Sequence, residues 1–255
     1  MKKVIFITGT SSGIGLCAAK SLITKGYRIL AGYRKEVNLV EMKALGFEPI
    51  KIDMNSAESV KQAAQQVIEL TNGRLYGLFN NAGYGIYGPL NTISRQQLEQ
   101  QFSTNFFSIH QLTCLFYQPG CLMEKDVLFK PVLYLGIVSS PGRGAYAASK
   151  HALEAWSDAL RLELNGSGIQ VSIIEPGPIT TRFTDNVEQT NKDNPVKNPT
   201  IAARLSLTPE HVVKRLVHAL ESPKPKIRYP VTLLTYGIVF MKRLLPDRLM
   251  DKFLT

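Results

Sequence analysis

The stretch Thr8-Gly9-Thr10-Ser11-Ser12-Gly13-Ile14-Gly15 decides the fold of this chain. It follows the apolar run Val4-Ile5-Phe6-Ile7 and opens a helical pattern over residues 16–23. A strand, a glycine-rich turn and a helix in this order form the setting in which a phosphate group binds. The first glycine allows the tight turn, the second lets the backbone approach a pyrophosphate, and the third allows the helix to pack on the strand.

The free amide groups at the N-terminus of that helix favour an anionic ligand. The glycine spacing is G-x-x-x-G-x-G, which differs from the G-x-G-x-x-G fingerprint, so the turn alone is also compatible with a purely structural role. Together with the motifs below, the turn predicts a dinucleotide site. The predicted phosphate-binding residues are Gly9, Ser11, Ser12, Gly13, Ile14 and Gly15.

Length, charge and cysteine content limit the class of protein. A chain of 255 residues fits one α/β domain with a large core. The net charge of +10 comes from scattered basic residues, and the sequence has no basic stripe with interleaved aromatic residues, so nucleic-acid binding is not predicted. Cys17, Cys114 and Cys121 lack metal-ligand spacing, so no metal site is predicted, and so low a count suits a reducing cytoplasm.

Short apolar runs alternate with helical patterns along most of the chain. Strands separated by helices in βαβ spacing predict a parallel sheet. We therefore predict an α/β fold, a three-layer, doubly wound parallel sheet of the Rossmann-like type in a single domain. Residues 1–181 would form the dinucleotide-binding and catalytic core, and residues 182–255 a substrate loop and C-terminal extension. The predicted strands cover residues 4–7, 28–33, 49–54, 76–80 and 169–174.

The end of the second strand predicts the choice of cofactor. An acidic residue there would hold the ribose 2′-hydroxyl of NAD. The chain has Arg34 and Lys35 instead, and a guanidinium suits a 2′-phosphate. NADP(H) is therefore the predicted cofactor, and an exposed charge pair is the structural alternative. Asp53 ends the third strand, where it either accepts a hydrogen bond from the adenine amino group or helps to start the next helix.

Two residues of a long amphipathic helix carry the predicted chemistry. Tyr146 and Lys150 are separated by four positions, so they share one helix face about 6 Å apart. A phenol has a reference pKa of about 10, and a neighbouring ammonium favours its phenolate. Such a pair suits proton transfer to a carbonyl oxygen, and an unrelated helix-surface pair is the alternative.

Four motifs in order resemble the short-chain dehydrogenase/reductase family. They are the glycine turn, Asn80-Asn81-Ala82-Gly83, Tyr146-x-x-x-Lys150 and Pro176-Gly177, and they extend over residues 4–181. The tail sequence Lys226-Ile227-Arg228-Tyr229-Pro230 is similar to the subgroup of bacterial NADP-dependent aldehyde and ketone reductases, which is related to retinol and 17β-hydroxysteroid dehydrogenases.

The resemblance implies an oxidoreductase that transfers a hydride between NADP(H) and an aldehyde or ketone, or the corresponding alcohol. Tyr146 would be the general acid/base, Lys150 would tune it and hold the nicotinamide ribose, and Asn105 would hold a water in the proton relay. The resemblance also implies an apolar carbonyl substrate and a homodimer or homotetramer. The other implied cofactor contacts are Asn81, Ala82, Gly83, Pro176, Gly177, Ile179 and Thr181.

One catalytic residue of the family is missing. The resemblance implies a serine at the end of strand five that polarises the substrate carbonyl, and its spacing from the tyrosine leads to Leu133. Loss of one such donor typically lowers the rate about 10²–10³-fold. Ser139 and Ser140 follow a strand-like run over 132–138 but come too late in the chain, so whether either replaces the missing serine stays open. The alternative function is therefore a dinucleotide-binding protein with impaired catalysis.

The stretch around Leu133 also lacks the character of a central strand. Residues 125–131 contain three charges and a proline. Synonymous codons for Met123–Val132 can be chosen so that a reading frame starting at the third base of the first codon encodes Gly-Lys-Gly-Arg-Ile-Val-Gln-Thr-Ser. This shifted sequence has the glycine-led strand and the terminal serine that the resemblance implies. Our hypothesis is that residues 114–138 result from a compensated frameshift, in the gene or in its recorded sequence.

The last part of the chain has two segments of its own. The polar segment from Arg182 to about Leu207 has no helical or strand periodicity. This predicts a substrate lid, with a disordered insert as the alternative. The tail over 231–245 is apolar with basic flanks, which favours core packing or a subunit contact, and an interfacial helix at a membrane is the alternative. No apolar run reaches transmembrane length.

Overall fold

The computed structural model describes residues 2–35, 39–117, 121–123, 134–181, 183 and 205–254. The strands are β1 Val4–Ile7, β2 Arg28–Tyr33, β3 Glu48–Lys51, β4 Arg74–Leu75, β5 Gly77–Phe79, β6 Leu122–Met123, β7 Ile173–Glu175 and β8 Arg228–Pro230. The α-helices are α1 Gly13–Thr24, α2 Leu39–Ala44, α3 Ala57–Thr71, α4 Arg95–Phe102, α5 Ser108–Phe116, α6 Gly144–Glu163, α7 Pro209–Glu221, α8 Leu233–Leu244 and α9 Asp247–Leu254. A π-helical turn, Ser103–Phe107, joins α4 to α5.

The main sheet is parallel, as predicted, and has the order β3-β2-β1-β5. Ile5 pairs with Ile29 of β2 on one side and with Gly77 of β5 on the other. The chain therefore builds outward from β1 in one direction and then returns to its other side. Ligands of doubly wound sheets bind where the strand order reverses, outside the carboxyl ends of the strands. Here that point lies beyond β1 and β5.

Helices cover both faces of this sheet because β1 is apolar on both sides. Ile5 and Ile7 pack with residues of α1 and α7 in one buried cluster. Val4 and Phe6 point the other way and pack with residues of α3, α5 and α6 in a second cluster. Continuous burial of adjacent strand residues is typical of a parallel sheet between two helical layers. The three-layer, Rossmann-like architecture is therefore confirmed.

The N-cap of α4 is the residue that the sequence predicts, whereas the N-cap of α3 is not. Ser94 and Gln97 form the capping box that their spacing predicts at the start of α4. The spacing of Asn55 and Glu58 predicts a capping box with Asn55 as the N-cap of α3. This prediction is wrong by one residue, because Ser56 is the N-cap and accepts a hydrogen bond from the Ser59 amide. The Asn55 amide instead donates to the Asp53 carboxylate at 3.0 Å.

Among the described residues, the four-stranded sheet does not continue beyond β5. In the described ranges, β7 pairs only with β8, and β6 pairs only with the two-residue strand β4. The prediction of a strand over 132–138 is wrong for the described residues of that range, because Tyr134–Gly136 forms a 3₁₀ turn. Leu133 and residues 124–132 lie outside the described residues. A central strand is disfavoured in the sequence there by three charges and Pro131.

Buried polar atoms lie at the ends of β5 and β7. Within the described part of the chain, the Asn80 Oδ1 atom and both carboxylate oxygens of Glu175 have no hydrogen-bond partner. Both residues are 1% exposed. An unsatisfied buried polar atom is costly, so both positions carry a local energetic penalty.

The C-terminal extension consists of α7, β8, α8 and α9. The predicted lid falls largely on 182 and 184–204, which lie outside the described residues, so it stays a prediction. In the part of the chain that is described, no helix is both long and apolar enough to cross a membrane.

Candidate active site

A cavity of about 780 Å³ opens at the carboxyl ends of β1 and β5, where the strand order reverses. Two predicted site residues, Gly15 and Asn105, do not line it and instead support its wall. The cavity also includes residues that the sequence analysis did not single out, among them Tyr33, Met54, Tyr84 and Phe183. The predicted residues that line it are Gly9, Ser11, Ser12, Gly13, Ile14, Arg34, Asp53, Asn81, Ala82, Gly83, Tyr146, Lys150, Pro176, Gly177, Ile179 and Thr181.

The glycine turn forms one end of the cavity and suits a phosphate group. Gly9 and Gly13 have φ angles of +70° and +57°, which disfavour any residue with a side chain. Ser12 is the N-cap of α1, but its side chain makes no capping hydrogen bond, and the first turn of α1 has no acidic residue. The helix therefore presents its N-terminal amides and positive dipole end to the cavity, as an anion site requires.

Gly15 and Asn81 hold this turn against β5. A Cβ atom at Gly15 would collide with the Gly9 carbonyl and lie 2.5 Å from the Asn81 Nδ2 atom. Asn81 Nδ2 donates to the carbonyls of Thr8 and Gly9 at 3.0 and 3.1 Å. Ala82 N donates to the Thr8 hydroxyl at 3.0 Å, so Thr8 is a positioning residue that the motif alone does not identify.

Arg34, Lys35 and Asp53 line the cavity beside the ends of β2 and β3. Arg34 and Lys35 are exposed and directly follow β2, where they are available to an anionic group. The Asp53 carboxylate accepts a hydrogen bond from the Asn55 amide just before α3. Asp53 also lines the cavity, so its contact with an adenine amino group stays a prediction.

Tyr146 and Lys150 meet inside the cavity, as their spacing on α6 predicts. The Lys150 Nζ atom lies 5.4 Å from the centre of the Tyr146 ring. Tyr146 is 3% exposed and Lys150 is 4% exposed. Burial lowers the pKa of Lys150 to about 8, so the ammonium form still predominates at neutral pH.

Aromatic rings surround the phenol. The rings of Tyr87 and Phe183 both have their centres 5.9 Å from that of Tyr146. On the far side, Tyr146 belongs to a buried apolar cluster with Leu135, Val138 and Ile238. This end of the cavity therefore suits an apolar ligand that carries one polar group to the phenol.

Asn105 does not contact the cavity directly. It lies in the π-helical turn between α4 and α5, where its Oδ1 accepts from the Tyr84 amide at 3.1 Å. Its Nδ2 donates to the Tyr84 carbonyl at 2.9 Å and to the Ser149 hydroxyl at 3.2 Å. Its side chain therefore fixes the loop that carries Gly83. A Cβ atom at Gly83 would lie 3.2 Å from Asn105 Oδ1 and 3.8 Å from Lys150 Nζ.

Gly177 closes the cavity wall against the C-terminal extension. A Cβ atom at this position would collide with the Thr232 side chain, with its Cβ and Cγ2 atoms 2.8 Å away. Thr232 is the N-cap of α8, and its hydroxyl accepts a hydrogen bond from the Thr235 amide. The wall of the cavity and the start of α8 therefore share one close contact.

Comparison with known proteins decides the family. The family model described as short chain dehydrogenase matches residues 3–192, which include the cavity and both β1 and β5. The chain belongs to the short-chain dehydrogenase family. It is an oxidoreductase of that family.

Relatives and solved structures of the family extend over nearly the whole chain. The uncharacterized oxidoreductase YbbO of Escherichia coli (strain K12) is 57% identical over 254 residues, 100% of this chain and 94% of that protein. The NADPH-dependent 3-dehydrocapnine reductase of Ornithobacterium rhinotracheale is 30% identical over 267 residues, 96% of this chain and 94% of that protein. A short chain dehydrogenase from Burkholderia cenocepacia J2315, solved in complex with NADP, shares the fold with a TM-score of 0.81 at 22% identity, covering 100% and 98% of the two chains.

Ser139 and Ser140 lie away from the cavity of this short-chain dehydrogenase. They line a separate pocket of about 510 Å³ together with Leu90 and His151. The Ser140 hydroxyl accepts a hydrogen bond from Arg143 at 3.3 Å. Tyr146 does not line this pocket, and neither serine lines the cavity that contains Tyr146.

Glu175, just before Pro176, is expected to make the stability of this short-chain dehydrogenase depend on pH. Burial, together with repulsion from Glu154, raises the pKa of its carboxyl from 4.5 to about 7, although Arg228 Nε lies 3.6 Å away. The folded state therefore favours the protonated form, and stability is lost as pH rises from about 4.5 to about 7. We expect Glu175→Gln to raise the free energy of unfolding at pH 8 by about 2–3 kcal/mol, and by much less at pH 5.

Urea unfolding at both pH values measures this difference. Arg228 keeps its ion pairs with Glu154 and Asp158 in the variant. The exposed Glu163 supplies the control Glu163→Gln. An equal gain at pH 5 and pH 8 would contradict the assignment of the effect to a buried carboxylate.

Proposed function

We propose that this short-chain dehydrogenase reduces an apolar aldehyde or ketone with NADPH, and that Tyr146 donates the proton. One observation carries the proposal. Tyr146 and Lys150 lie together in a cavity that also contains an uncapped helix N-terminus and the basic pair Arg34 and Lys35. Such a cavity offers a helix N-terminus to bind phosphates, a basic pair to bind a further anionic group, and a phenol to transfer a proton.

The residues present fit a nicotinamide dinucleotide. A Cβ atom at Gly9 would lie 2.9 Å from the Ala82 Cα atom, and Gly13 has a positive φ angle that disfavours a side chain. The α1 amides face the cavity beside this turn, which suits a pyrophosphate. Arg34 and Lys35 supply positive charge where a 2′-phosphate would be held. The relative from Ornithobacterium rhinotracheale, described as NADPH-dependent, supports the same cofactor. When bound, the cofactor supplies the hydride.

The protein's own residues supply the proton and hold the groups around it in place. The Tyr146 hydroxyl donates its proton to the carbonyl oxygen as negative charge develops there. The Lys150 ammonium, buried beside the ring, stabilises the phenolate that remains. Asn105 holds the loop at Gly83 through the Tyr84 backbone, which keeps the wall next to Lys150 in place. Tyr87 and Phe183 surround Tyr146 and favour an apolar substrate.

Cofactor choice is tested by Arg34→Ala. We expect the KM for NADPH to rise about 10- to 100-fold, because a charge-assisted contact to the 2′-phosphate is lost. The KM for NADH should change less than about threefold, since NADH has no such phosphate. The measurement is absorbance loss of either cofactor with a panel of medium-chain aldehydes and ketones. Equal changes for both cofactors would place Arg34 outside the 2′-phosphate site.

A second candidate function is dinucleotide binding with impaired catalysis. It is favoured by the position of Ser139 and Ser140, which line a different pocket from Tyr146. In this case the chain binds NADPH but oxidises it extremely slowly with every carbonyl tested. Cofactor titration by fluorescence, run beside the turnover assay, separates the two functions. Binding without turnover selects the second.

A further inference from the structure

Helix α8 is apolar on two faces, and in the described part of the chain only one of them is covered. Its inner face packs Ile238, with Leu234, Met241 and Leu245, against the cluster that contains Tyr146. With 3.6 residues per turn, the exposed apolar side chains form one stripe on the opposite face. A helix that is apolar all round is normally buried on all sides. The stripe consists of Leu233, Tyr236, Phe240 and Leu244, which are 84%, 46%, 65% and 65% exposed.

Helix α9 repeats this arrangement. Met250 is buried and Leu254 packs in the same inner cluster. Leu249 and Phe253, one turn apart, are 42% and 67% exposed. The next sector of the helix carries the exposed cations Arg248 and Lys252. An apolar stripe beside a basic stripe is the pattern of a helix that lies in a membrane interface.

The charge of this region is strongly positive. Residues 224–252 contain seven lysines and arginines but only two acidic residues. Helix α8 has no acidic residue, and its last turn carries Lys242 and Arg243. Two of these cations form ion pairs: Lys242 with Asp247, and Arg228 with Glu154 and Asp158. The cations beside the exposed stripes on which the proposal rests are therefore Arg243, Arg248 and Lys252.

We propose that α8 and α9 form a docking surface for an anionic lipid bilayer. We call it the α8–α9 surface, and it consists of the six exposed apolar residues named above and the adjacent cations. Anionic headgroups complement the cations while the apolar side chains enter the interface. A second copy of the chain would fit less well, because a symmetric contact brings two copies of the same basic patch together.

The α8–α9 surface is connected to the candidate active site. The inner face of α8 packs in the Tyr146 cluster, and its N-cap Thr232 packs on Gly177 of the cavity wall. Docking would therefore hold the apolar end of the cavity close to lipid. The proposal does not rest on the proposed function, because the exposed stripes and charges are independent of catalysis.

Vesicle sedimentation of the purified full chain tests the surface. The vesicles contain phosphatidylcholine alone or with phosphatidylglycerol, at low and high salt. We expect at least about tenfold stronger partitioning to the anionic vesicles at low salt, and a loss of most of this preference at high salt. Phe240→Ser with Leu244→Ser should weaken partitioning about tenfold or more. Arg243→Gln with Arg248→Gln should reduce the preference for phosphatidylglycerol.

A matched control uses exposed apolar residues elsewhere. Phe107 and Leu162 are 55% and 64% exposed, close to the values for Phe240 and Leu244, and Phe107→Ser with Leu162→Ser should leave partitioning unchanged. Circular dichroism verifies that each variant is folded. Absence of binding to anionic vesicles at low salt would overturn the proposal, as would an equal loss in the control. It is also overturned if the Phe240 and Leu244 changes dissociate an oligomer in sedimentation velocity and leave partitioning intact.

Discussion

Tyr146→Phe should lower kcat for NADPH-dependent carbonyl reduction by about a thousandfold, because general acid catalysis by a positioned side chain contributes about 10²–10⁴. The phenylalanine ring keeps the contacts with Tyr87 and Phe183, so only the hydroxyl is lost. NADPH affinity, measured by fluorescence titration, should change less than about threefold. Single-turnover kinetics with the best substrate of the aldehyde and ketone panel measures the chemical step.

Tyr87→Phe is the matched control for this prediction. Its ring packs edge-on to Tyr146 with centres 5.9 Å apart, and it is also a tyrosine in the apolar part of the site. We expect its kcat to stay within about threefold of the unchanged chain. If Tyr146→Phe were as active as Tyr87→Phe, the proton donor would be another group and the proposed mechanism would be wrong.

A chain that carries the shifted-frame sequence Gly-Lys-Gly-Arg-Ile-Val-Gln-Thr-Ser in place of Met123–Val132 should turn over about 10²–10³ times faster than the unchanged chain. The exchange supplies a serine hydroxyl at the end of a glycine-led strand. It also removes Pro131, which disfavours a central strand, and its two basic residues precede the apolar Ile-Val pair. Steady-state kcat and thermal unfolding are measured on both chains, and the Tyr146→Phe test is repeated in the exchanged chain.

Leu133→Ser in the unchanged chain is the control for the exchange. This single change leaves the proline and the three charges of residues 125–131 in place, which disfavour a central strand, so we expect less than about a tenfold gain in kcat. The result that would contradict the frameshift hypothesis is equal activity in the unchanged and exchanged chains. In that case another donor polarises the carbonyl, and position 133 plays no part in the site.

Local geometry explains why much of the site could be predicted. The turn at Gly9 and Gly13 depends on backbone angles that few residues other than glycine adopt, so its position can be read from the spacing. Tyr146 and Lys150 share a face because any α-helix places residues four apart together. Parallel strands bring their carboxyl ends to one edge, which is why Arg34 and Asp53 line the same cavity.

Features that depend on distant contacts could not be predicted. The motif places Asn105 near Lys150 but does not reveal that its amide holds the Tyr84 backbone within a π-helical turn. Val138 and its neighbours have the composition of a strand, yet the chain forms a 3₁₀ turn at Tyr134–Gly136, because tertiary context overrides strand propensity. The location of Ser139 in a separate pocket likewise follows from the path of that turn.

The contact between Gly177 and Thr232 has a consequence for redesign of this enzyme. Any side chain added at position 177 would enter the space of the Thr232 side chain and unseat the cap of α8. A library that varies the cavity to broaden the range of compounds converted should therefore leave Gly177 unchanged and sample Tyr87 and Phe183 instead. Variants with a substitution at Gly177 would misfold, so their substrate selectivity could not be measured.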